Sequence, residues 1–278
     1  MTYFQELWGA RELFRNLVAR EAGGQYKRTV LGRLWSLATP LSQMLVYTFV
    51  FSFIFRIQPA AGDPSGLNVF AVWLLCGLLP WTFFASAITA GASSIVANAS
   101  LVTKVYFPRT VLPLSAVGSA AVNWGFEMLV LAAALLIIGS QLWWWVPLTL
   151  VIMALLAVFA AGVALLLSVA NVYFRDTQYF MTILLQIWMY MTPIVYPASL
   201  IQDQSDKVGA LLGTSVTLFD IYQSNPMYHF VLVLRQVLYD NRMPELNSLL
   251  ICAGWSIALM AIGLLVFRRN ENRLAEAL

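Results

Sequence analysis

The chain has 278 residues, of which 60% are hydrophobic and only 10% charged. A soluble domain of that size carries about 25% charge, so composition excludes an ordinary soluble fold and places the chain in the membrane class. The formal net charge of +3 is small; where the cations sit matters more, and nothing in their balance calls for a nucleic acid.

At the N-terminus, apolar residues recur at helical spacing over 4–18: Phe4, Leu7, Trp8, Phe14, Leu17 and Val18. Glu6, Glu12, Asn16 and Arg20 lie mainly on the other side. This pattern predicts an amphipathic helix along a surface. It turns at Gly23-Gly24 and feeds an all-round apolar stretch over 34–55. Six cations crowd this end: Arg11, Arg15, Arg20, Lys27, Arg28 and Arg33. Residues 1–33 mix acids and bases without an uninterrupted apolar core, so no cleavable signal is expected.

Six spans are predicted by the roughly 20-residue apolar rule, over 34–55, 69–96, 111–138, 146–170, 177–196 and 246–267. A tail of 268–278 follows. Twelve of the sixteen cations fall on the side of the N-terminal segment, the 98–109 and 171–176 loops and the tail. The other side carries Arg56, Lys207, Arg235 and Arg242. The positive-inside rule puts both termini in the cytoplasm. Trp143, Trp144 and Trp145 then lie on the outer side as an interfacial belt, with sugar stacking as the other reading. The connection over 197–245 is too apolar for a solvated loop. A short piece over 208–219 and another over 226–239, with Asn225 as cap and Pro226 in the first turn, fit two half-length helices that dip into the outer leaflet and return.

Chemistry-bearing motifs are few. There is no phosphate loop and no Gly-Lys pair, so any ATP is hydrolysed on another chain. GxSxG is missing, and the one histidine, His229, reads as a packed or interfacial side chain. Cys76 and Cys252 lie in apolar runs as small buried hydrophobes, and no Cys/His cluster suggests a metal. Glu127 is an intramembrane acid that faces a wet interior or pairs with Asn123 one turn earlier; its role and that of the three tryptophans stay open. Arg175-Asp176 reads as a boundary pair. The aromatic share, 14%, admits lipid packing or stacking on sugars for Tyr47, Phe51, Phe83, Phe84, Trp188 and Tyr190.

Four stretches in order carry a resemblance. LVAREAGGQYKRTVLGRLWSLATPLSQMLVYTFVFSFIF, VYFPRTVLPL, NVYFRDTQYFMTILLQIWMYMTPIVYP and NPMYHFVLVLRQVLY are similar to the corresponding segments of ABC-2 type permease subunits that export polysaccharides such as O-antigen, capsule and teichoic acid. The resemblance implies an all-α membrane protein: a cytoplasmic interface helix over 1–33, a six-helix transmembrane domain over 34–267, and an outer re-entrant pair over 208–240. It implies a homodimer in the inner membrane of a bacterium, docked on two copies of an ATPase. That partner holds ATP and Mg; this chain is not an enzyme and carries no cofactor. Leu17, Val18, Arg20, Glu21 and Tyr26 would form the ATPase-coupling interface. Lys27, Arg28, Lys104 and Arg109 would form the entrance for the pyrophosphate head group of a polyprenyl-linked polysaccharide. Tyr47, Phe51, Phe83, Trp188 and Tyr190 are the channel-lining candidates. Leu218, Phe219, Asn225, Pro226, His229 and Arg235 belong to the outer gate. The same architecture could instead export a drug or a lipid, and a membrane enzyme acting on polyprenyl-linked sugars would need clustered acids or histidines, which the scattered Asp203, Asp206, Asp220 and Asp240 do not supply.

Overall fold

Every regular element among the described residues is a helix. The computed structural model describes residues 9–24, 29, 32–56, 61–105, 107–209 and 216–274, with the side chains of Arg33 and Asn272 outside that description. Tyr26, Lys27 and Arg28 therefore lie outside the described residues. The order is α1 (Arg11–Gly24), α2 (Trp35–Tyr47, continued as a wider π-turn over Thr48–Ile54), α3 (Phe70–Ala97), α4 (Ala99–Lys104) and α5 (Val111–Ile137). Then come α6 (Val146–Tyr173), α7 (Thr177–Tyr190), α8 (Ala198–Val208), α9 (Leu218–Gln223), α10 (Pro226–Arg235, continued as a π-turn over Gln236–Asp240) and α11 (Leu246–Leu274).

Among the described residues, five helical stretches are long and apolar enough to cross a membrane: Trp35–Ile54, Phe70–Ala97, Val111–Ile137, Val146–Tyr173 and Leu246–Glu271. They match five of the six expected spans to within a few residues. The exception is the expected span over 177–196. Its helix, α7, has 14 residues and ends at Tyr190, about 21 Å of rise against a hydrocarbon core of about 30 Å. The cause is Pro193. The residue before a proline is pushed out of the helical region, so the run stays apolar while the helix stops.

The core is built on α3, which is apolar and buried over most of its surface apart from one stripe of small polar residues. It packs against α5 on one side and α6 on the other, and α6 in turn packs along α11. At the α6–α11 crossing the backbones touch. A Cβ on Gly162 would stand 2.4 Å from the Leu259 carbonyl carbon, and one on Gly263 would stand 2.5 Å from the Gly162 carbonyl oxygen. Lipid tails give apolar helices no hydrophobic reason to associate, so close approach through small residues supplies the attraction. α2 and α7 are seated more loosely and show wide apolar faces, such as Leu45, Phe49 and Phe53 on α2 and Phe180, Ile183 and Ile187 on α7.

A second apolar cluster gathers Leu17 of α1, Ile95 of α3, Leu112 of α5, Val169 and Val172 of α6, and Phe267 and Leu274 of α11. These helix ends define one side of the bundle, which α1 covers. Both glycines of the turn expected at Gly23-Gly24 belong to α1, which ends at Gly24.

Between α7 and α11 the structure adds an element that the sequence did not suggest. α8 is amphipathic: Ile201 and Ser205 are buried one turn apart, while Gln202, Asp203 and Asp206 face out. Of the expected re-entrant pair over 208–240, residues 210–215 lie outside the described residues. The remainder is the six-residue α9 and α10 with its π-turn. α10 begins as expected, with Asn225 as N-cap and Pro226 in the first turn, and it packs against α3, α6 and α11.

Candidate functional site

A groove of about 950 Å³ runs from α1 into the bundle between α2, α3 and α5. Its mouth is formed by Arg20, Glu21, Gly24 and Trp35. Its walls are stripes at helical spacing: Thr82, Ser86, Thr89 and Ser93 on α3, Ser119, Asn123 and Glu127 on α5, and Ser36, Thr39 and Gln43 on α2. The α3 hydroxyls donate to carbonyls of their own helix, Thr82 to Leu79 at 3.0 Å and Thr89 to Ala85 at 2.7 Å. Their protons are thus committed, and their oxygens are left to accept. One wall is stiffened by Phe83 and Trp124, whose rings stack at 4.2 Å and 11°.

α1 is fastened at this mouth. Leu17 is 4% exposed, and Val18 and Phe14 close over Gly118 of α5, where a Cβ would meet them at 3.0 and 3.1 Å. The Arg20 guanidinium donates to Asn98 Oδ1 at 3.1 Å and stands 3.9 Å from the Glu21 carboxylate. Burial raises the Glu21 pKa above the usual carboxylate range, and Arg20 partly offsets it. Of the five coupling candidates, Leu17 and Val18 therefore grip the protein's own spans, Arg20 and Glu21 sit at the groove mouth, and Tyr26 is outside the described residues.

The entrance cations separate. Lys104 ends α4 in solvent. Arg109 is tied to the last turns of α11: its backbone N–H donates to Glu271 Oε1 at 2.8 Å, and its guanidinium donates to the Glu271 carbonyl. That link between the start of α5 and the end of α11 had no sequence signal, since the partners are 162 residues apart.

The channel-lining candidates also divide. Phe83 borders the groove but is 2% exposed. Tyr47 pairs edge-on with Phe51 at 6.3 Å. Tyr190 is exposed on α7. Trp188 meets Trp81 and Phe84 edge-on, at 6.0 and 5.2 Å, and its indole N–H donates to Asn225 Oδ1 at 2.8 Å.

Asn225 is the knot of the gate candidates. Its Oδ1 also accepts from the Met227 N–H at 3.0 Å, while its Nδ2 donates to Thr192 Oγ1 at 2.9 Å and the Met191 carbonyl at 3.2 Å. Pro226 opens α10 beside it. Arg235 makes a second tie between the same elements. It is buried, donates to the carbonyls of Pro193 and Ile194 at 2.6 and 2.5 Å, and lies 3.6 Å from the centre of the Trp73 ring. Gly77 leaves room for it, because a Cβ there would sit 2.7 Å from its guanidinium. His229 is also buried, as expected, with its ring nitrogens bonded to Ser248 Oγ at 3.2 Å and the Gln223 carbonyl at 2.8 Å. Phe219 packs edge-on against Tyr228, and Leu218 starts α9 next to it.

A family model described as ABC-2 type transporter matches residues 12–239. The chain belongs to the ABC-2 type transporter family. Among curated relatives of this ABC-2 chain is an O-antigen export system permease protein, RfbA, of Myxococcus xanthus, 30% identical over 99% of this chain and 98% of the relative. A namesake from Klebsiella pneumoniae is 29% identical over 91% and 90%. The polysialic acid transport protein KpsM of Escherichia coli is 24% identical over 92% of each chain. The ABC-2 chain is thus a multi-pass membrane protein of a transporter family.

Proposed function

We propose that this chain is the permease subunit of a bacterial exporter that moves polyprenyl-linked polysaccharide across the inner membrane, powered by a separate ATPase. The single observation that carries this reading is full-length similarity to permeases named for O-antigen export, over 99% of the chain. The groove supports polysaccharide over a drug or simple lipid, since hydroxyls, two amides and a carboxylate form its walls. Sidedness rests on charge: α1, Lys104, Arg109 and the arginines of late α11 gather at one side, and cations mark the cytoplasm. Polyprenyl pyrophosphate entering there would meet these cations.

Connectivity supports a reading with six crossings. The chain stands on the α1 side at Val172. It stands on the other side at Asn241, which accepts from Ser140 beyond the end of α5 at 3.0 Å. α7 and the segment to Pro197 then make the sixth crossing. Contacts along α3 support a re-entrant α10. The Asn225–Trp188 pair reaches Phe84, Arg235 lies at Trp73, and the Tyr239 hydroxyl meets Val69 N–H at 3.1 Å. The bare faces of α2 and α7 suit a second copy of the chain around a shared channel. The outward face of α1, with Arg15, Ala19 and Arg20, suits the ATPase cleft, and Leu17 and Val18 pass its motion to α5 as a rigid body.

The test is co-purification. Arg15→Glu combined with Ala19→Asp, both exposed, is expected to lose the ATPase while the permease keeps its membrane level. Undiminished ATPase recovery would remove α1 as the docking surface.

A further inference from the structure

The groove ends at polar groups that the fold itself does not use. The Trp124 indole nitrogen is buried and makes no hydrogen bond, in a side chain 2% exposed that borders the groove. Gln43 Oε1, on the facing α2 wall, is likewise buried and unpartnered. Glu127 borders the same groove one turn beyond Asn123 on α5. Buried polar groups in folded proteins are nearly always paired, so two orphans on one cavity point to a missing partner.

They line the length of the groove. Trp124 and Glu127 lie 13 and 16 residues beyond Val111, roughly 20 and 24 Å along α5 by helical rise, and Gln43 lies eight residues beyond Trp35, roughly 12 Å along α2. Trp81, Phe83 and Met189 border the groove as well, giving it an apolar surface beside its polar groups. The groove offers both kinds of group: the Gln43 oxygen, the Glu127 carboxylate and the committed hydroxyls of α3 accept, while the Trp124 N–H and the amide N–H groups of Gln43 and Asn123 donate. A ligand that fits brings several O–H donors, at least one acceptor and an apolar face. A pyranose ring has all three.

We propose that this groove is a glycan-binding site, with Glu127 and Gln43 accepting from sugar hydroxyls along it and the Trp124 N–H donating to a sugar oxygen. This rests on the export reading above and adds to it a reader of the glycan itself, apart from its lipid pyrophosphate. Glu127 is a binding residue here through its acceptor oxygens rather than its charge. Glu127→Gln keeps an acceptor oxygen, so it separates a polyol ligand from a cationic one.

The experiment uses the permease with its ATPase in nanodiscs and reads the lipid concentration that half-stimulates ATP hydrolysis. Two probes are titrated: the lipid-linked glycan extracted from the producing cells, and polyprenyl pyrophosphate bearing no sugar. Glu127→Leu, Trp124→Phe and Gln43→Met are each expected to raise half-saturation by the glycan-lipid about tenfold relative to the sugar-free lipid, as loss of a buried hydrogen bond does. Glu127→Gln is expected to stay within about threefold of wild type. Should Glu127→Leu fail to fold, the other two carry the test from independent helices. A wild type that responds to glycan-lipid alongside variants with unchanged half-saturation overturns the site and leaves the export reading intact. Equal shifts for both lipids also overturn it, assigning the groove to the lipid. Glu127→Gln as damaging as Glu127→Leu overturns it in favour of a cationic ligand. A wild type indifferent to the glycan-lipid fails the export reading, and the site with it.

Discussion

Truncating Asn225 to alanine removes the side chain that ties the end of α7 to the start of α10, leaving the Arg235 tie at the other end of α10 in place. Four hydrogen bonds go at once: acceptance from Trp188 and Met227, and donation to Thr192 and Met191. Loss of an N-cap costs about 1 kcal/mol. The Trp188 and Thr192 bonds, both part-buried, add about 1 kcal/mol each, and the longer Met191 bond adds less. The total of about 3 kcal/mol corresponds to a fall in Tm of roughly 6 °C for a chain of this size. Asn225→Asp keeps both acceptor contacts and places a negative charge at a helix N-terminus, which the helix dipole favours. It loses only the two donated bonds, so its fall should be about half. Thermal unfolding of the purified permease in nanodiscs, followed by tryptophan emission, measures both. A fall below about 1 °C for Asn225→Ala, or a larger fall for Asp than for Ala, would refute the view that this knot fixes α10.

Two further outcomes are expected. Gly162→Leu drives a side chain into the Leu259–Met260 backbone of α11 and should cost at least 1–3 kcal/mol, seen as lost folded yield; Gly125→Ala, where nothing lies within 4 Å, should be neutral or gain up to about 1 kcal/mol of helix propensity. Glu21 gives a pH dependence. Its folded pKa is raised by burial, so its contribution favours folding when the carboxyl is protonated and is lost as pH rises through that raised pKa. Glu21→Gln should therefore match wild type in Tm at pH 4 and exceed it at pH 7; a difference that shrinks as pH rises would reverse the assignment.

The five long spans were legible because length and apolarity define a membrane helix whatever it packs against. The early end of α7 was not, because Met191 and Ile194 to Tyr196 carry the hydropathy onward while Pro193 stops the helix. α8 was hidden in a segment judged by its overall apolarity, although Ile201 and Ser205 at i,i+4 gave the periodicity. The Asn225 cap and Pro226 start were readable locally, yet the three other bonds of Asn225 depend on Trp188, Met191 and Thr192, more than 30 residues away. Leu17 illustrates a different limit. An amphipathic stripe shows that one face is buried, but the stripe alone does not distinguish a partner's cleft from the protein's own spans. Glu127 and Asn123 were visible as a polar pair on α5. Their place on a groove became clear only when α2 and α3 supplied the other walls, including the buried Gln43 oxygen and Trp124 nitrogen.

The central claim, a permease that moves lipid-linked glycan only when driven by a separate ATPase, is tested most directly in proteoliposomes loaded with lipid-linked glycan from the producing cells. Appearance of glycan on the far leaflet is read by a membrane-impermeant glycosidase or lectin. Transfer is expected with the partner ATPase and ATP, and none with the permease alone or with a non-hydrolysable nucleotide. Transfer at the same rate without the ATPase would contradict it.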